Sequence, residues 1–228
     1  MRPSVHAVIA VKTLGLAKSR LADRLEPPDR TRLVLAMLAD TVTAALETPG
    51  VASVTVVTPD PAVKDLVQQL GGRVHPEPAA PTGLNGALAA GAEAIRLEHG
   101  PVDVLALQAD LPALRPHELG EVLAASGHPR AVVADHAGSG TVALLVRGGA
   151  ALAPLFGPDS ARRHIAAGAV ELLGEWPGLR QDVDTAADLD CAAALGVGEA
   201  TGALLSEIGV SRACLPAKQV RRTGSRRC

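Results

Sequence analysis

With 228 residues, 47% of them apolar but only Phe156 and Trp176 aromatic, the chain predicts an aliphatic core and excludes base recognition by aromatic stacking. The net charge of −2 hides an asymmetry: residues 212–228 hold six cations and no acid, so the first 211 residues carry 16 basic and 24 acidic side chains, a net −8 that excludes a general nucleic-acid binder. No apolar run reaches the roughly 18 residues of a membrane span, no secretory leader is read, and Cys191, Cys214 and Cys228 form no CxxC pair, which predicts a cytoplasmic protein with neither membrane anchor nor zinc site.

In chain order, Val5–Val11 is the first predicted strand. It runs into a loop holding Lys12, Gly15, Lys18 and Arg20, a place for phosphate at the carboxyl end of a buried strand. Asp29 is expected to cap a helix to Glu47, with Val34, Leu38 and Val42 on one stripe. Ala52–Thr58 is the second strand, Asp60 begins a helix to Leu70 that Gly71-Gly72 stops, and Arg73–His75 is a short third strand. A Pro- and Ala-rich loop at 77–82 leads into an Ala-rich helix, Gly83–Glu98. Val102–Ala109 reads as a strand buried on both faces, followed by a helix at His117–Ala125. Arg130–Asp135 and Thr141–Val146 flank a glycine-rich turn at 137–140 and are expected to be neighbours, one of them antiparallel. Then come a helix at Ser160–Ala167, a weak strand at Val170–Leu173, a capping-box start at Thr185-x-x-Asp188 for a helix to Leu195, and a last helix at Glu199–Ile208. Strands alternating with helices predict an α/β domain over 1–210, a mostly parallel central sheet with helices on both faces, and a basic, disordered tail over 211–228.

Asp110, in LQADLPAL, sits where an apolar strand ends and Pro112 forbids its continuation. An acid there serves Mg²⁺ and substrate phosphates, or else caps a turn. Asp182 and Asp184 share one face of an extended segment, one placed to reach the crevice and the other to cap the next helix. In Phe156–His164 (FGPDSARRH), a turn leads to a helix start whose free N–H groups suit phosphate or carboxylate, with Arg162 and Arg163 adding charge; the plainer reading is a simple loop. Thr141 offers a hydroxyl after Gly138-Ser139-Gly140, and Asn85 either reads a base or ribose edge or caps a helix. The seven histidines lack ligand spacing and are read as surface or core residues, His164 alone lying near a candidate site. The sequence holds no GxxxxGK[ST], no GxGxxG after the first strand and no GxSxG, which excludes P-loop, dinucleotide and serine-hydrolase readings.

Together the segments AVKTLGLAKSRLA, LNGAL, LQADLPAL, GSGT, FGPDS and DVDTAADL resemble the guanylyltransferases of coenzyme F-420 biosynthesis over about residues 5–208. That family joins GTP to 2-phospho-L-lactate or to phosphoenolpyruvate, and the phosphoenolpyruvate branch is the nearer. The resemblance implies a Rossmann-like nucleotidyltransferase fold. It implies that Asp110 and Asp182 hold Mg²⁺ and act in catalysis with Lys18 and Arg20. It further implies that Thr141, Gly157 and Ser160 hold phosphoenolpyruvate, and that Lys12, Lys18 and Asn85 bind the nucleotide. The first loop departs from the wider group in having fewer glycines. The expected partners are GTP and phosphoenolpyruvate, with no nucleic acid and no membrane, and the oligomeric state is left open, a dimer included. The alternatives are 2-phospho-L-lactate as acceptor, a molybdenum-cofactor type of guanylyltransferase and a non-catalytic nucleotide-binding module. The DLPAL and FGPDS segments weigh against the second, and Asp110 with Asp182 against the third.

Overall fold

Val5–Ala10 forms β1, and its alternate residues pack into two separate cores, Ala7 and Ile9 on one side and Val8 on the other. A strand buried on both faces needs cover on both, so helices flank the sheet on each side. In the computed structural model, which describes residues 4–14, 18–78 and 83–209, seven strands line up as β3-β2-β1-β4-β6-β5-β7. They are β2 (Val51–Val57), β3 (Arg73–His75), β4 (Asp103–Leu107), β5 (Arg130–Ala134), β6 (Thr141–Val146) and β7 (Val170–Glu171). All run parallel except β6, which is antiparallel to both β4 and β5. The expectation of a mostly parallel sheet with one reversed member of the β5–β6 pair therefore holds. Gly15, the loop at 79–82 and the tail 211–228 lie outside the described residues.

The larger core receives α1 (Pro27–Leu46), α2 (Pro61–Gln69), α4 (Pro116–Ala125), α7 (Ala186–Leu195) and α8 (Glu199–Glu207); the smaller receives α3 (Gly83–His99) and the loop around Phe156. Leu33, Met37, Leu38 and Ile9 are fully buried, each contributing about 1.5–3 kcal/mol of hydrophobic stabilisation. Asp29 does not cap α1: it lies in the first turn, behind Pro27 and Pro28, whose missing N–H groups leave less for a cap to satisfy. Asp60 caps α2 as expected, accepting from Ala62 N at 3.0 Å, and its other oxygen accepts from Leu14 N at 3.2 Å, which fastens the start of the cationic loop.

The strand order places the site. The chain goes from β1 outward to β2 and β3, then returns to the other side of β1 as β4. The crevice outside the carboxyl ends of β1 and β4 is the topological switch point where open α/β sheets bind ligands. Because β6 runs backwards, its first residue lies at this same edge: Leu107 faces Ala143, and Thr141 faces Ala134 at the end of β5.

Candidate active site

Asp110 follows β4 in a turn pinned from two directions. Leu111 N donates to Thr41 Oγ1 of α1 at 3.1 Å, and Val183 N donates to the Asp110 carbonyl at 3.2 Å. The second bond brings the segment 182–184 against residue 110. Lys18 reaches the same place from the first loop, in a left-handed conformation at φ 55°. Its ammonium pairs with Asp110 Oδ2 and, at 2.8 Å, with Asp184 Oδ1. Burial opposes the charge on Lys18, but the two carboxylates outweigh it and raise the pKa. Asp184 is held below the usual carboxylate range although burial works the other way, since Lys18 and then Arg20 favour its anion.

Asp182 lies in the opposite electrostatic position. Burial first, then the charges of Asp110, Asp184 and Asp135, push its carboxyl up to about 7. His136 Nδ1 stands 3.6 Å from Asp182 Oδ1, and its Nε2 stands 3.8 Å from Asp188 Oδ1. Asp110 Oδ1 is buried and accepts no hydrogen bond among the described residues. Neither Asp182 nor Asp184 caps α7, which corrects the expectation for one of them. Thr185 caps it, in the predicted capping box with Asp188, and Asp184 turns instead to Lys18. Arg20 and Lys12 are exposed at the rim, Lys12 just past β1. The sequence reading missed His136 at this edge and the pairing of Asp184 with Lys18. Neither carries a local signal, because the partners lie 46 and 166 positions away.

Beside these acids, the turn after β5 leads to the second group of expected residues. Asp135 accepts from Ser139 N and Gly140 N, both at 2.9 Å, and so shapes the turn that delivers Thr141. Ser139 O accepts from Ala161 N at 3.1 Å, tying the turn to α5 (Ser160–Ala166). Thr141, Ser160 and Gly157 are thereby brought together: Ser160 Oγ donates to Thr141 Oγ1 at 3.0 Å, and Ser160 N donates to Gly157 O at 3.2 Å. The helix start is less open than expected, because the Ser160 and Ala161 amides are both spent on protein carbonyls. Gly157 has φ +126°, a conformation L side chains rarely adopt, and a Cβ there would meet the Arg163 guanidinium at 3.1 Å.

Asn85 is neither a cap nor a wholly free reader of a ligand. It lies in the first turn of α3 and exchanges two hydrogen bonds with the Phe156 backbone, accepting from Phe156 N at 2.8 Å and donating Nδ2–H to Phe156 O at 3.0 Å. One amide N–H and one oxygen lone pair remain beyond this exchange. The contact spans 71 positions and fixes the FGPDS loop on the helix.

His164 is fully buried behind that loop. Burial, then the charges of Arg130 and Arg163, lower its pKa to about 4. Between pH 6.5 and about 4 the unfolded chain binds a proton at this residue that the folded chain does not. Its contribution to stability is therefore complete above pH 6.5 and is lost as the pH falls toward 4, up to about 3 kcal/mol. Urea denaturation across this range should show a steeper loss for the unaltered protein than for His164→Asn; parallel profiles would refute the assignment.

A sheet of this strand order, with acids and a lysine gathered where the order reverses, places a site for charged ligands at the switch point of an open α/β fold, and the family and relatives of this chain make its class a nucleotidyltransferase. The fold is shared with a solved structure, a provisionally named nucleotide-diphospho-sugar transferase from Desulfovibrio desulfuricans G20, at a TM-score of 0.70 and 13% identity over 90% of this chain and 95% of that one. Residues 5–226, the basic tail nearly included, match the family described as guanylyl transferase CofC like, and the chain belongs to that family. It is 67% identical to the phosphoenolpyruvate guanylyltransferase of Nocardia farcinica (strain IFM 10152) over 225 residues, 96% of this chain and all of that protein. It is 50% identical to the phosphoenolpyruvate guanylyltransferase of Rhodococcus erythropolis (strain PR4 / NBRC 100887) over 217 residues, 90% of this chain and 96% of the relative. Among the described residues, no helix is long and apolar enough to cross a membrane.

Proposed function

We propose that this chain joins GTP to phosphoenolpyruvate, giving enolpyruvyl-diphospho-guanosine and pyrophosphate in coenzyme F-420 biosynthesis. The observation that carries this reading is the meeting, at one sheet edge, of the Lys18–Asp110–Asp184–Asp182 cluster with the Thr141–Ser160–Gly157 group. The first suits a triphosphate and a cation, the second a small phospho-acid. The names of the relatives support the choice of acceptor.

In the reaction, an oxygen of the acceptor phosphate attacks the α-phosphorus of GTP. The new P–O bond forms as the bond to the β-phosphate oxygen breaks, and the electron pair leaves with pyrophosphate. The attacking phosphate is already largely ionised at pH 7, so no general base is needed. Two anions must approach, and neutralising their charge is the main task of the protein. Lys18, kept charged by Asp110 and Asp184 despite its burial, faces the triphosphate with Arg20 and Lys12 and steadies the charge gathering on the leaving pyrophosphate. Asn85 lies beside the nucleoside. Thr141, Ser160 and Gly157 hold and orient the acceptor.

The donors present fit Mg²⁺: hard carboxylate oxygens, with Asp110 Oδ1 buried and lacking a donor among the described residues and Asp182 destabilised as an anion by burial and by its acidic neighbours. Asp110 and Asp182 would hold it, with Asp184 beside them. Mg²⁺ is commonly held by one or two carboxylates together with substrate phosphates and water. When bound, the ion supplies charge neutralisation and orientation at the phosphates. GTP and phosphoenolpyruvate are cytoplasmic metabolites, and the enzyme works where they are found.

Pyrophosphate release from GTP and Mg²⁺, measured with phosphoenolpyruvate, with 2-phospho-L-lactate and with neither, tests the reading. Release is expected with phosphoenolpyruvate. A rate no higher than without acceptor overturns the proposal, and release with 2-phospho-L-lactate alone reassigns the substrate.

A further inference from the structure

We infer that His164 is a positioning residue for the acceptor, because it forces the Thr141–Ser160 hydroxyl pair to present an O–H proton outward and so makes this point of the subsite a hydrogen-bond donor. The inference rests on the acceptor subsite proposed above and adds a residue and a polarity to it.

The argument counts protons. His164 is fully buried, and its lowered pKa keeps it neutral, so the ring carries one N–H. Leu155 N donates to His164 Nε2 at 2.8 Å, and a backbone amide has no choice but to donate. Nε2 therefore holds the lone pair and the proton sits on Nδ1. Nδ1 lies 3.0 Å from Thr141 Oγ1, with the Ser160 backbone carbonyl as a second acceptor beside it, and so it can donate in that contact but cannot accept the threonine proton. Ser160 Oγ donates to Thr141 Oγ1 at 3.0 Å as well. The threonine hydroxyl accepts from Ser160 and finds no acceptor on the ring, so its own proton must point elsewhere. Reversing the Ser160–Thr141 bond leaves the count unchanged: two hydroxyl protons share one internal bond, His164 accepts neither, and one proton leaves the pair. The opposite tautomer would take the threonine proton for itself and leave nothing to offer.

Two contacts keep the ring in place to do this, and Asn85 steadies the residue that makes one of them. Phe156 packs edge-on against it, with centroids 5.3 Å apart at 75°. Asn85 holds Phe156 through its backbone, and Leu155 N is the amide that sets the tautomer. Thr141 and Ser160 are themselves 2% and 1% exposed, so their hydroxyls have little access to water. A ligand atom at this point must be an acceptor. A carboxylate or phosphate oxygen meets the demand, and an alcohol or amine presenting only its proton does not.

The test joins a spectroscopic readout with kinetics. In protein labelled with ¹⁵N-histidine, the His164 ring should give the neutral Nδ1–H signature, independent of any substrate. His164→Asn keeps an N–H near the Nδ1 position and loses the acceptor, whereas His164→Gln reaches toward the Nε2 position and loses the donor to Thr141. The expected result is a KM for phosphoenolpyruvate raised about tenfold or more in His164→Gln, from the loss of a hydrogen bond to a charged group. The KM for GTP should stay within about twofold, and His164→Asn should recover most of the loss. An Nε2–H signature overturns the inference, as do equal KM values for phosphoenolpyruvate in the two variants. No turnover of phosphoenolpyruvate by the unaltered enzyme overturns the proposed function and the acceptor role with it. An Nδ1–H signal in that sample then traces the failure to the substrate and not to the proton arrangement.

Discussion

Asp110→Asn should lower the rate of pyrophosphate release about 10²–10³-fold while shifting the unfolding midpoint by no more than a few degrees. The catalytic loss follows from the two oxygens. Oδ2 is one of two counter-ions of Lys18, and Oδ1 is buried with no donor among the described residues, where the proposed cation would satisfy it. An asparagine presents one neutral oxygen and a carboxamide N–H₂ where two anionic oxygens stood, and the N–H₂ faces either the ammonium or the place of the proposed metal. The fold should tolerate the change because the turn is held by backbone. The residue 110 carbonyl still accepts from Val183 N, and Leu111 N still donates to Thr41 Oγ1. Lys18 keeps Asp184, and Asp182 loses a repelling neighbour, which offsets part of the lost ion pair. Steady-state rates beside thermal denaturation check this. Near-normal turnover removes Asp110 from the chemistry, and a collapse of stability shows that its role is in the fold.

Asp110 was legible in the sequence for a reason that does not extend to its partners. An apolar run that ends in Gln-Ala-Asp-Leu-Pro announces the carboxyl end of a buried strand, and such ends face the crevice. The same local logic finds Lys18 on the loop after β1, the Thr185–Asp188 capping box, and Asp60 on α2. It fails wherever the deciding contact is made by chain folded back from far away. Asp182 and Asp184 alternate in sequence, and which of them meets a lysine depends on a side chain 166 positions earlier. His136 gains its place between Asp182 and Asp188 only when β5 lies in the sheet. Asn85 resembled a cap because caps are local, and its true partner, Phe156, is supplied by the topology. The four-residue helix α6, Pro177–Arg180, carries little local signal: the amides of Gly178 and Leu179 are satisfied by Glu118 of α4, and only Arg180 N bonds nearby, to Trp176 O at 3.0 Å.

That short helix carries the other large expected effect: Gly178→Ala should destabilise the protein by about 2–3 kcal/mol and depress turnover with it. A Cβ at residue 178 would stand 2.1 Å from the Ala113 carbonyl oxygen and 2.7 Å from Glu118 Oε2. The first is backbone and cannot swing aside. The second belongs to a carboxylate, 3% exposed, that accepts from Gly178 N and Leu179 N at 2.9 Å each and from Arg115 N at 3.3 Å. Relief requires α6 to move off residue 113, breaking those bonds in an interior that offers no water to replace them. The displacement cannot stay local. Arg180 O accepts from His136 N at 2.8 Å, and two residues later the chain presents Asp182, which reaches Asp110 because Val183 N is hydrogen-bonded to the residue 110 carbonyl. The acids of the first loop's lysine and of the proposed metal thus meet through a contact in which glycine alone leaves room. For a chain of this size the stability loss corresponds to a midpoint lowered by roughly 4–12 °C. Urea denaturation and pyrophosphate release on the same samples check both halves. An unchanged midpoint refutes the close approach. A lowered midpoint with full turnover, measured where the variant is still folded, shows that Asp182 is positioned without α6.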